Sequence, residues 1–293
     1  MKIASFDGGR IGVVVGDEIV DVTTLGGAAP GSWPPVGMLR LIADFARLKP
    51  ELQHAIATAP RRRLDSVRLE TPIAWPNKIV AFPANYHEHI EEMGPALISK
   101  FRASGQGFFL KANSSLSGPS DPIVLPNVPG REIHHECELA IIIGKGGRDI
   151  AASAAFDHIF GYSCLLDIVL RGQEERVMRK SFDSFCPVGP WITSADEVRD
   201  PGAIELSLRV NGALRQRAVT ADLIVGIPGM IAMASGVMTL APGDIIASGT
   251  PAGVAPIVDG DVLMIEIGGI GAMRLHVVQG AQGRHPVWDK PAA

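Results

Sequence analysis

The stretch from His134 to Gly144 reads HHECELAIIIG and carries two glutamates directly into an uninterrupted apolar segment. Its β-branched tail is typical of a buried strand, in which alternate residues point to the same face. Glu136 and Glu138 therefore share one face of the predicted strand. Burying two neighbouring carboxylates is costly unless a cation compensates them, and a hard divalent ion does so. The alternative from the spacing alone is a pair of exposed glutamates at the start of a strand.

A third acid in similar surroundings strengthens the metal interpretation. Asp167 stands within the apolar run FGYSCLLDIVL, residues 160–170, which we expect to be one strand and in which an acid is seldom left without a partner. Three carboxylates favour Mg²⁺ or Mn²⁺, with Ca²⁺ as an alternative, and argue against Zn²⁺. Adjacent strand residues point to opposite faces, so we expect His134 and His135 to pack or to hydrogen-bond rather than bind metal. Three ligands leave coordination positions open for a substrate.

The fold class follows from the turn residues. The 33 glycines and 22 prolines among 293 residues divide the chain into short apolar runs, which predicts a mainly β, α+β fold. A charged, proline-flanked segment, residues 60–76, predicts a boundary between a small N-terminal domain (1–70) and a larger catalytic domain (71–293). Helical patterns fall at 39–59, 86–93 and 151–158, and after Pro228.

Several classes of function are disfavoured. The net charge of −4 argues against nucleic acid as the main partner. No dinucleotide fingerprint, P-loop or GxSxG elbow occurs, which disfavours nucleotide-dependent and serine-hydrolase chemistry. The uncharged stretch between Asp222 and Asp244 is interrupted by glycine and proline, so we expect a buried helix and no membrane partner. Three cysteines without a CxxC pair, and an N-terminus without an apolar signal segment, predict a cytoplasmic protein.

A histidine and a glutamate suit acid–base chemistry. His89 and Glu92 lie three residues apart in a predicted helical segment and therefore share a face. An imidazole oriented by a carboxylate is a suitable general base for water. The alternative is an ordinary surface pair.

Two cations follow the predicted metal ligands. Lys180, in the loop RKSFDSFCPVGP, can hold a carboxylate or stabilise an enolate beside a metal. Arg171, four residues after Asp167, suits the same tasks. The alternative for both is an exposed cation near Arg176 and Arg179.

Taken in order, these motifs resemble the fumarylacetoacetate hydrolase family, and within it the acylpyruvase-like branch. The resemblance covers about residues 76–278, and it implies a mixed β-sandwich roll assembled as a homodimer. The motifs that carry it are NYxxHxxEM from Asn85, FLK from Phe109, HExEL from His135, DxxxR from Asp167, KSFD from Lys180, CPxGP from Cys186, VNGxLRQ from Val210 and LxPGDxIxSGTPxGV from Leu240.

The resemblance also implies roles for individual residues. It implies Mg²⁺ or Mn²⁺ on Glu136, Glu138 and Asp167. It further implies that His89 and Glu92 lie on a lid that orders over the substrate and positions the attacking water.

The substrate contacts implied by the resemblance are Arg171, Lys180 and Thr250, which reach the 2-oxo-carboxylate end. The family often has Arg-Asp-x-Gln after the metal aspartate, whereas this chain has RGQE from Arg171. Gln173 is therefore carried over as a substrate-binding residue from a displaced position.

The predicted activity is metal-dependent hydrolysis of a carbon–carbon bond in a small 2,4-dioxo acid, giving pyruvate and a carboxylic acid. Oxaloacetate decarboxylation and the isomerisation or hydration of an unsaturated 2-oxo acid use related enolate chemistry and stay open as alternatives. A non-catalytic metal-binding protein is the alternative of a different class.

Overall fold

The computed structural model describes residues 1–94 and 103–281. Its helices are α1 (Gly37–Ala43), α2 (Phe45–Thr58), α3 (His87–Met93), α4 (Ala103–Gln106), α5 (Arg176–Arg179) and α6 (Ile227–Val237). Its strands are β1 (Lys2–Phe6), β2 (Arg10–Val15), β3 (Glu18–Asp21), β4 (Arg61–Arg63), β5 (Leu69–Glu70), β6 (Ile79–Ala81), β7 (Phe109–Lys111), β8 (Leu116–Ser117), β9 (Ile123–Leu125), β10 (Ile133–His134), β11 (Cys137–Ile143), β12 (Ile159–Leu166), β13 (Val169–Leu170), β14 (Cys186–Ser194), β15 (Glu205–Val210), β16 (Ala213–Val219), β17 (Ile245–Ala247), β18 (Val262–Ile267) and β19 (Gly271–Gln279).

Two large sheets form the architecture. A twelve-stranded sheet has the central order β4-β3-β2-β1-β14-β12-β11-β17-β6-β7, and a five-stranded sheet has the order β16-β15-β18-β19-β9. Most pairings are antiparallel, whereas β17 with β6, β9 with β19 and β8 with β14 are parallel. The prediction of a mainly β, α+β fold is confirmed.

Strand β11 lies between two cores, which explains its continuous apolar sequence. Leu139 and Ile141 belong to the core shared with the five-stranded sheet. Ala140 and Ile142 belong to a second core, which also contains residues of α1 and α2. Every residue of β11 is buried, and so is Glu136 just before it, so the two glutamates are not the exposed pair of the alternative interpretation.

The N-terminal strands continue the large sheet. β1 pairs with β14, with Ile3 opposite Ile192, and β1 to β4 extend the sheet from there. The predicted helix at 39–59 is two helices, because the helix is interrupted at Asp44 between α1 and α2. The division into residues 1–70 and 71–293 stays a prediction.

Two local predictions differ from the structure. Residues 152–158 form a 3₁₀ helix rather than an α-helix. The apolar run at 160–170 is not one strand: β12 ends at Leu166, and Asp167 follows in a break before β13. The Asp167 N–H donates to the Glu136 carbonyl at 2.9 Å, which places the third acid beside the first. None of the helices in the described ranges is long and apolar enough to cross a membrane.

Candidate active site

An acid cluster lies where β11 begins and β12 ends. Cys137 pairs with Leu166, so Glu136, just before β11, stands beside Asp167, just after β12. Ligand atoms of Glu136, Glu138 and Asp167 all lie within 4.8 Å of one another, and the three residues are buried. The structure thus brings together the acids that the sequence analysis selected, and their role as metal ligands stays a prediction.

Two buried lysines partly compensate these charges. The Lys180 ammonium donates to Glu136 Oε2 at 2.6 Å and also to Asp167 Oδ2. The Lys111 ammonium donates to Asp167 Oδ1 at 2.6 Å and to the Lys180 carbonyl. Three acids against two ammonium groups leave one formal negative charge in a buried cluster, which is costly.

Opposite pKa shifts separate the two glutamates. Burial alone would raise the pKa of Glu136, but the charges of Lys180 and Arg171 outweigh it and lower that pKa to about 2. Burial and the charge of Asp167 raise the pKa of Glu138 well above its usual value. A divalent ion bound by all three carboxylates would favour ionised Glu138 and more than offset the one excess negative charge. The carboxylate-only donor set therefore fits a hard divalent metal.

Glu138 is oriented by a backbone turn that only glycine suits. The Gly249 N–H donates to Glu138 Oε2 at 2.8 Å, and Gly249 has a φ of +88°. A Cβ at this position would lie 2.6 Å from the Asn85 Cβ and 2.8 Å from the Phe82 carbonyl oxygen. A side chain here would therefore displace the turn that positions the glutamate.

The predicted acid–base pair also forms. His89, on α3, is buried, and its Nδ1 lies 3.2 Å from Glu92 Oε2. The Gly253 N–H donates to the Glu92 carboxylate at 3.1 and 3.2 Å. Because an ionised carboxylate only accepts hydrogen bonds, this contact favours the imidazole tautomer that carries its proton on Nδ1 and leaves Nε2 without one. The role of this pair as a catalytic base stays a prediction.

One cavity of about 210 Å³ collects most of the predicted site residues. Arg171 and Thr250 both line it, and Arg171 Nε donates to His134 Nδ1 at 3.0 Å. Gln173 is exposed and does not belong to the described lining, so the structure does not bring it to the cavity. The described lining consists of Phe82, Pro83, Ala84, His89, Glu136, Glu138, Val169, Arg171, Gly172, Arg176, Arg179, Lys180 and Thr250.

The sequence analysis missed two buried residues that support the site. Lys111 is a buried charge at the end of the short strand β7. A charged residue after two apolar ones is the sequence signal that could have predicted a buried partner. Gln216 connects two loops: its Oε1 accepts from His135 Nδ1 at 3.0 Å, and its Nε2 donates to Thr250 Oγ1 at 2.8 Å. Because the Thr250 hydroxyl oxygen accepts this bond, its own hydrogen stays available for a substrate oxygen.

Comparison with known proteins first shows a family match. Residues 78–278 match the family described as "Fumarylacetoacetate (FAA) hydrolase C-terminal". The chain is 42% identical to maleylpyruvate hydrolase from Aquipseudomonas alcaligenes over 285 residues, covering 94% of this chain and 99% of that protein. It is 36% identical to the mitochondrial oxaloacetate tautomerase of Mus musculus over 211 residues, covering 69% of this chain and 92% of that protein.

A solved structure is similar along nearly the whole chain. It is the crystal structure of maleylpyruvate hydrolase from Sphingobium sp. SYK-6 in complex with manganese(II) and pyruvate. The TM-score is 0.87 and the sequence identity 56%, with 96% of this chain and 100% of that chain covered.

Proposed function

Because the chain belongs to the fumarylacetoacetate hydrolase family, we propose that it is a metal-dependent hydrolase that cleaves a carbon–carbon bond in a small 2,4-dioxo acid. The products are pyruvate and a carboxylic acid. The observation that carries this conclusion is one cavity lined by Glu136, Glu138, Lys180 and His89. This cavity combines carboxylates for a divalent ion, a cation for developing negative charge and a base for water.

The relatives support the same chemistry. Two of them, at 42% and 56% identity, are maleylpyruvate hydrolases, and the second was solved with manganese(II) and pyruvate. We propose Glu136, Glu138 and Asp167 as the ligands of Mg²⁺ or Mn²⁺, with Ca²⁺ as an alternative. When bound, the ion supplies a Lewis acid at the 2-oxo-carboxylate end of the substrate.

Hydrolysis begins with activation of water. Nε2 of His89 takes a proton from the water, while Glu92 holds Nδ1–H and stabilises the resulting imidazolium. The hydroxide oxygen adds to carbon 4 of the substrate. The Glu92 contact fixes the orientation of the imidazole ring. The ring therefore does not have to be ordered anew in each turnover.

Cleavage then breaks the bond between carbons 3 and 4. The carbonyl at carbon 4 re-forms from the alkoxide, carbon 4 leaves as a carboxylic acid, and the electron pair stays on carbon 3 as the enolate of pyruvate. Carbon 3 is then protonated with the proton that His89 Nε2 took from the water, which restores the neutral imidazole. The Lys180 ammonium stabilises the developing charge, and removing such a group typically lowers kcat about 10²–10³-fold. Arg171 and Thr250 are proposed to hold the substrate carboxylate, with Gln173 as a more distant candidate.

The test is pyruvate release from acetylpyruvate. We expect release with Mn²⁺ and none with EDTA, and loss of the metal-dependent rate in Glu138→Ala. His89→Ala is expected to lower kcat about 10²–10⁴-fold, as is typical for removal of a general base. His87→Ala is the matched control, because His87 is exposed on the same helix and does not line the cavity.

Each component has its own contradicting result. Metal-dependent release that survives in Glu138→Ala would contradict the ligand assignment. A wild-type kcat in His89→Ala would contradict the base. Absence of pyruvate release from every acylpyruvate would contradict the hydrolase itself.

A second candidate is tautomerisation or decarboxylation of oxaloacetate, favoured by the similarity to the Mus musculus oxaloacetate tautomerase. These reactions pass through an enolate without an attacking water. His89→Ala should therefore spare them while abolishing acetylpyruvate hydrolysis. Equal loss of both activities would show that the two reactions share His89.

We also propose an oligomeric state, a compartment and a metabolic role for the enzyme. We infer a homodimer, as the family resemblance implies, and light scattering on a size-exclusion column tests it. All three cysteines are buried and free, which supports a reducing, cytoplasmic compartment. A role in the breakdown of aromatic compounds is proposed from the same resemblance.

A further inference from the structure

Strand pairing brings Arg171 to the edge of the cavity. β10 and β13 pair with Ile133 opposite Leu170. Just beyond this pair, the Arg171 N–H donates to the Glu132 carbonyl at 2.8 Å. The Arg171 side chain therefore leaves the chain directly after β13, beside the cavity that it lines.

The other side of the Arg171 backbone is held by Arg131. Arg131 Nε and Nη2 both donate to the Arg171 carbonyl, at 2.9 and 2.6 Å. The same guanidinium contacts both oxygens of the Glu174 carboxylate, at 3.1 and 2.8 Å. It passes so close to Gly172 that a Cβ there would lie 1.9 Å from Arg131 Nη2. Because Gly172 has no side chain, Arg131 can reach the loop backbone and fix it.

With its backbone held on both sides, Arg171 keeps freedom only in its side chain. His134 supplies the contact that fixes this side chain, because Arg171 Nε donates to His134 Nδ1 at 3.0 Å. The side chain of His134 is only 13% exposed, so water competes little for this bond. A partner that holds one arginine rotamer removes rotamer freedom before a substrate binds.

The two contacts of the His134 ring define where its proton lies. An arginine Nε carries a hydrogen and can only donate, so His134 Nδ1 accepts and carries no proton. The ring proton is then on Nε2, which lies 2.9 Å from Glu132 Oε2, and the carboxylate accepts it. His134 is thus a neutral acceptor, and it orients the Arg171 guanidinium without cancelling its positive charge.

The contact at Nε also selects the end of Arg171 that can hold an anion. A guanidinium has donors on Nε and on both Nη atoms. Since His134 occupies the N–H of Nε, the hydrogens on the two Nη atoms are the ones that bind a carboxylate. This end of the group can hold both carboxylate oxygens at once.

We propose that His134 is a positioning residue that holds the Arg171 guanidinium in the orientation that binds the substrate carboxylate. The inference rests on the proposed function, in which Arg171 contacts the 2-oxo-carboxylate end. Within the described part of the chain, His134 is not among the residues that line the cavity, so it acts through Arg171. Its loss should weaken carboxylate binding and raise KM, whereas the steps that depend on His89 and Lys180 should keep their kcat.

Two substitutions of His134 differ in the atom that they offer to Arg171. His134→Leu places a methyl group where Nδ1 stands, whereas His134→Asn places an amide oxygen there, which can accept the same hydrogen bond. Both variants lose the contact of Nε2 with Glu132. The Glu132 side chain is 65% exposed, so water replaces that contact equally in the two variants.

The kinetic test uses acetylpyruvate. We expect His134→Leu to raise KM about tenfold, the effect of about one lost hydrogen bond to a charged group, with little change in kcat. His134→Asn should restore most of the wild-type KM. His158→Leu is the matched control and should change neither constant. Like His134, His158 forms a hydrogen bond through Nδ1, to the Lys145 carbonyl at 2.7 Å, but it lies outside the described lining of the cavity.

Three results would overturn the proposal. The first is an unchanged KM in His134→Leu. The second is an equal rise in His134→Leu and His134→Asn, which would show that the imidazole only fills space between the loops. The third is a loss of Mn²⁺ affinity, measured by calorimetry, that parallels the rise in KM, because a positioning role predicts unchanged Mn²⁺ affinity in both variants.

Pyruvate binding tests the inference without turnover. Calorimetric titration of the Mn²⁺-loaded protein with pyruvate should give a Kd about tenfold higher in His134→Leu than in the wild type or His134→Asn. This pattern would support the positioning role even if acetylpyruvate were not cleaved, a failure that would contradict only the hydrolase proposal. Equal pyruvate affinity in all three proteins would overturn the positioning role, while pyruvate release from acetylpyruvate would leave the hydrolase function intact.

Discussion

Replacing Lys111 by methionine tests how strongly the buried acid cluster depends on its lysines. The Lys111 ammonium lies 2.6 Å from Asp167 Oδ1, and the two side chains are 0% and 1% exposed. Lys111→Met keeps most of the side-chain volume but leaves Asp167 to share Lys180 with Glu136. Breaking a buried pair from one side typically costs about 3–5 kcal/mol of unfolding free energy, and we expect the lower end because Lys180 remains.

The matched control is an ion pair of the same length at the surface. Arg217 Nε lies 2.6 Å from Glu205 Oε1, but these side chains are 64% and 50% exposed. Arg217→Gln is expected to cost less than about 1 kcal/mol, because solvent screens exposed pairs. The two ion pairs therefore have the same N···O distance but differ in burial.

The assay is unfolding in urea, monitored by circular dichroism, first with EDTA and then with Mn²⁺. A bound divalent ion supplies positive charge beside Asp167, so the loss in Lys111→Met should be smaller with Mn²⁺ than with EDTA. The reasoning would be refuted if Lys111→Met cost no more than Arg217→Gln in EDTA. An equal loss in both conditions would refute the link to the metal site.

Three further variants examine the surroundings of the cluster. Gly249→Ala should weaken Mn²⁺ binding about 10–100-fold by displacing the N–H that holds Glu138, whereas Gly212→Ala, at a φ of +83° with no atom near its Cβ, should not, and equal calorimetric affinities would contradict this. Burial lowers the pKa of His135 from 6.5 to about 4, so the unfolded chain takes up this proton first as the pH falls. The wild type should then lose about 3 kcal/mol of unfolding free energy between about pH 7 and pH 4 that His135→Asn does not lose; parallel pH profiles in EDTA would refute the assignment. Gln216→Leu should cost at least about 3 kcal/mol in urea unfolding, because it leaves several buried partners without hydrogen bonds at about 1–3 kcal/mol each, and a wild-type midpoint would contradict that.

Local sequence patterns were sufficient for the family, the fold class and the selection of the acids. Alternation along a strand is a local rule, and it placed Glu136 and Glu138 on one face before any tertiary contact was known. An acid in an apolar run, as at Asp167, similarly predicts a compensating partner from the cost of burial. The i,i+3 spacing of His89 and Glu92 predicted a contact that the structure contains.

The identity of the compensating groups was decided only by the tertiary structure. Lys111 is 56 residues from Asp167, and Gln216 is 81 residues from His135. Strand pairing and the loops at one edge of the sheet bring these distant residues into contact. No local periodicity of the sequence encodes such contacts. Arg176 and Arg179 differ from ordinary surface arginines for the same reason, because both line the cavity. The sequence shows only the charge of these two residues, whereas their place in the lining of one cavity arises because distant segments pack together.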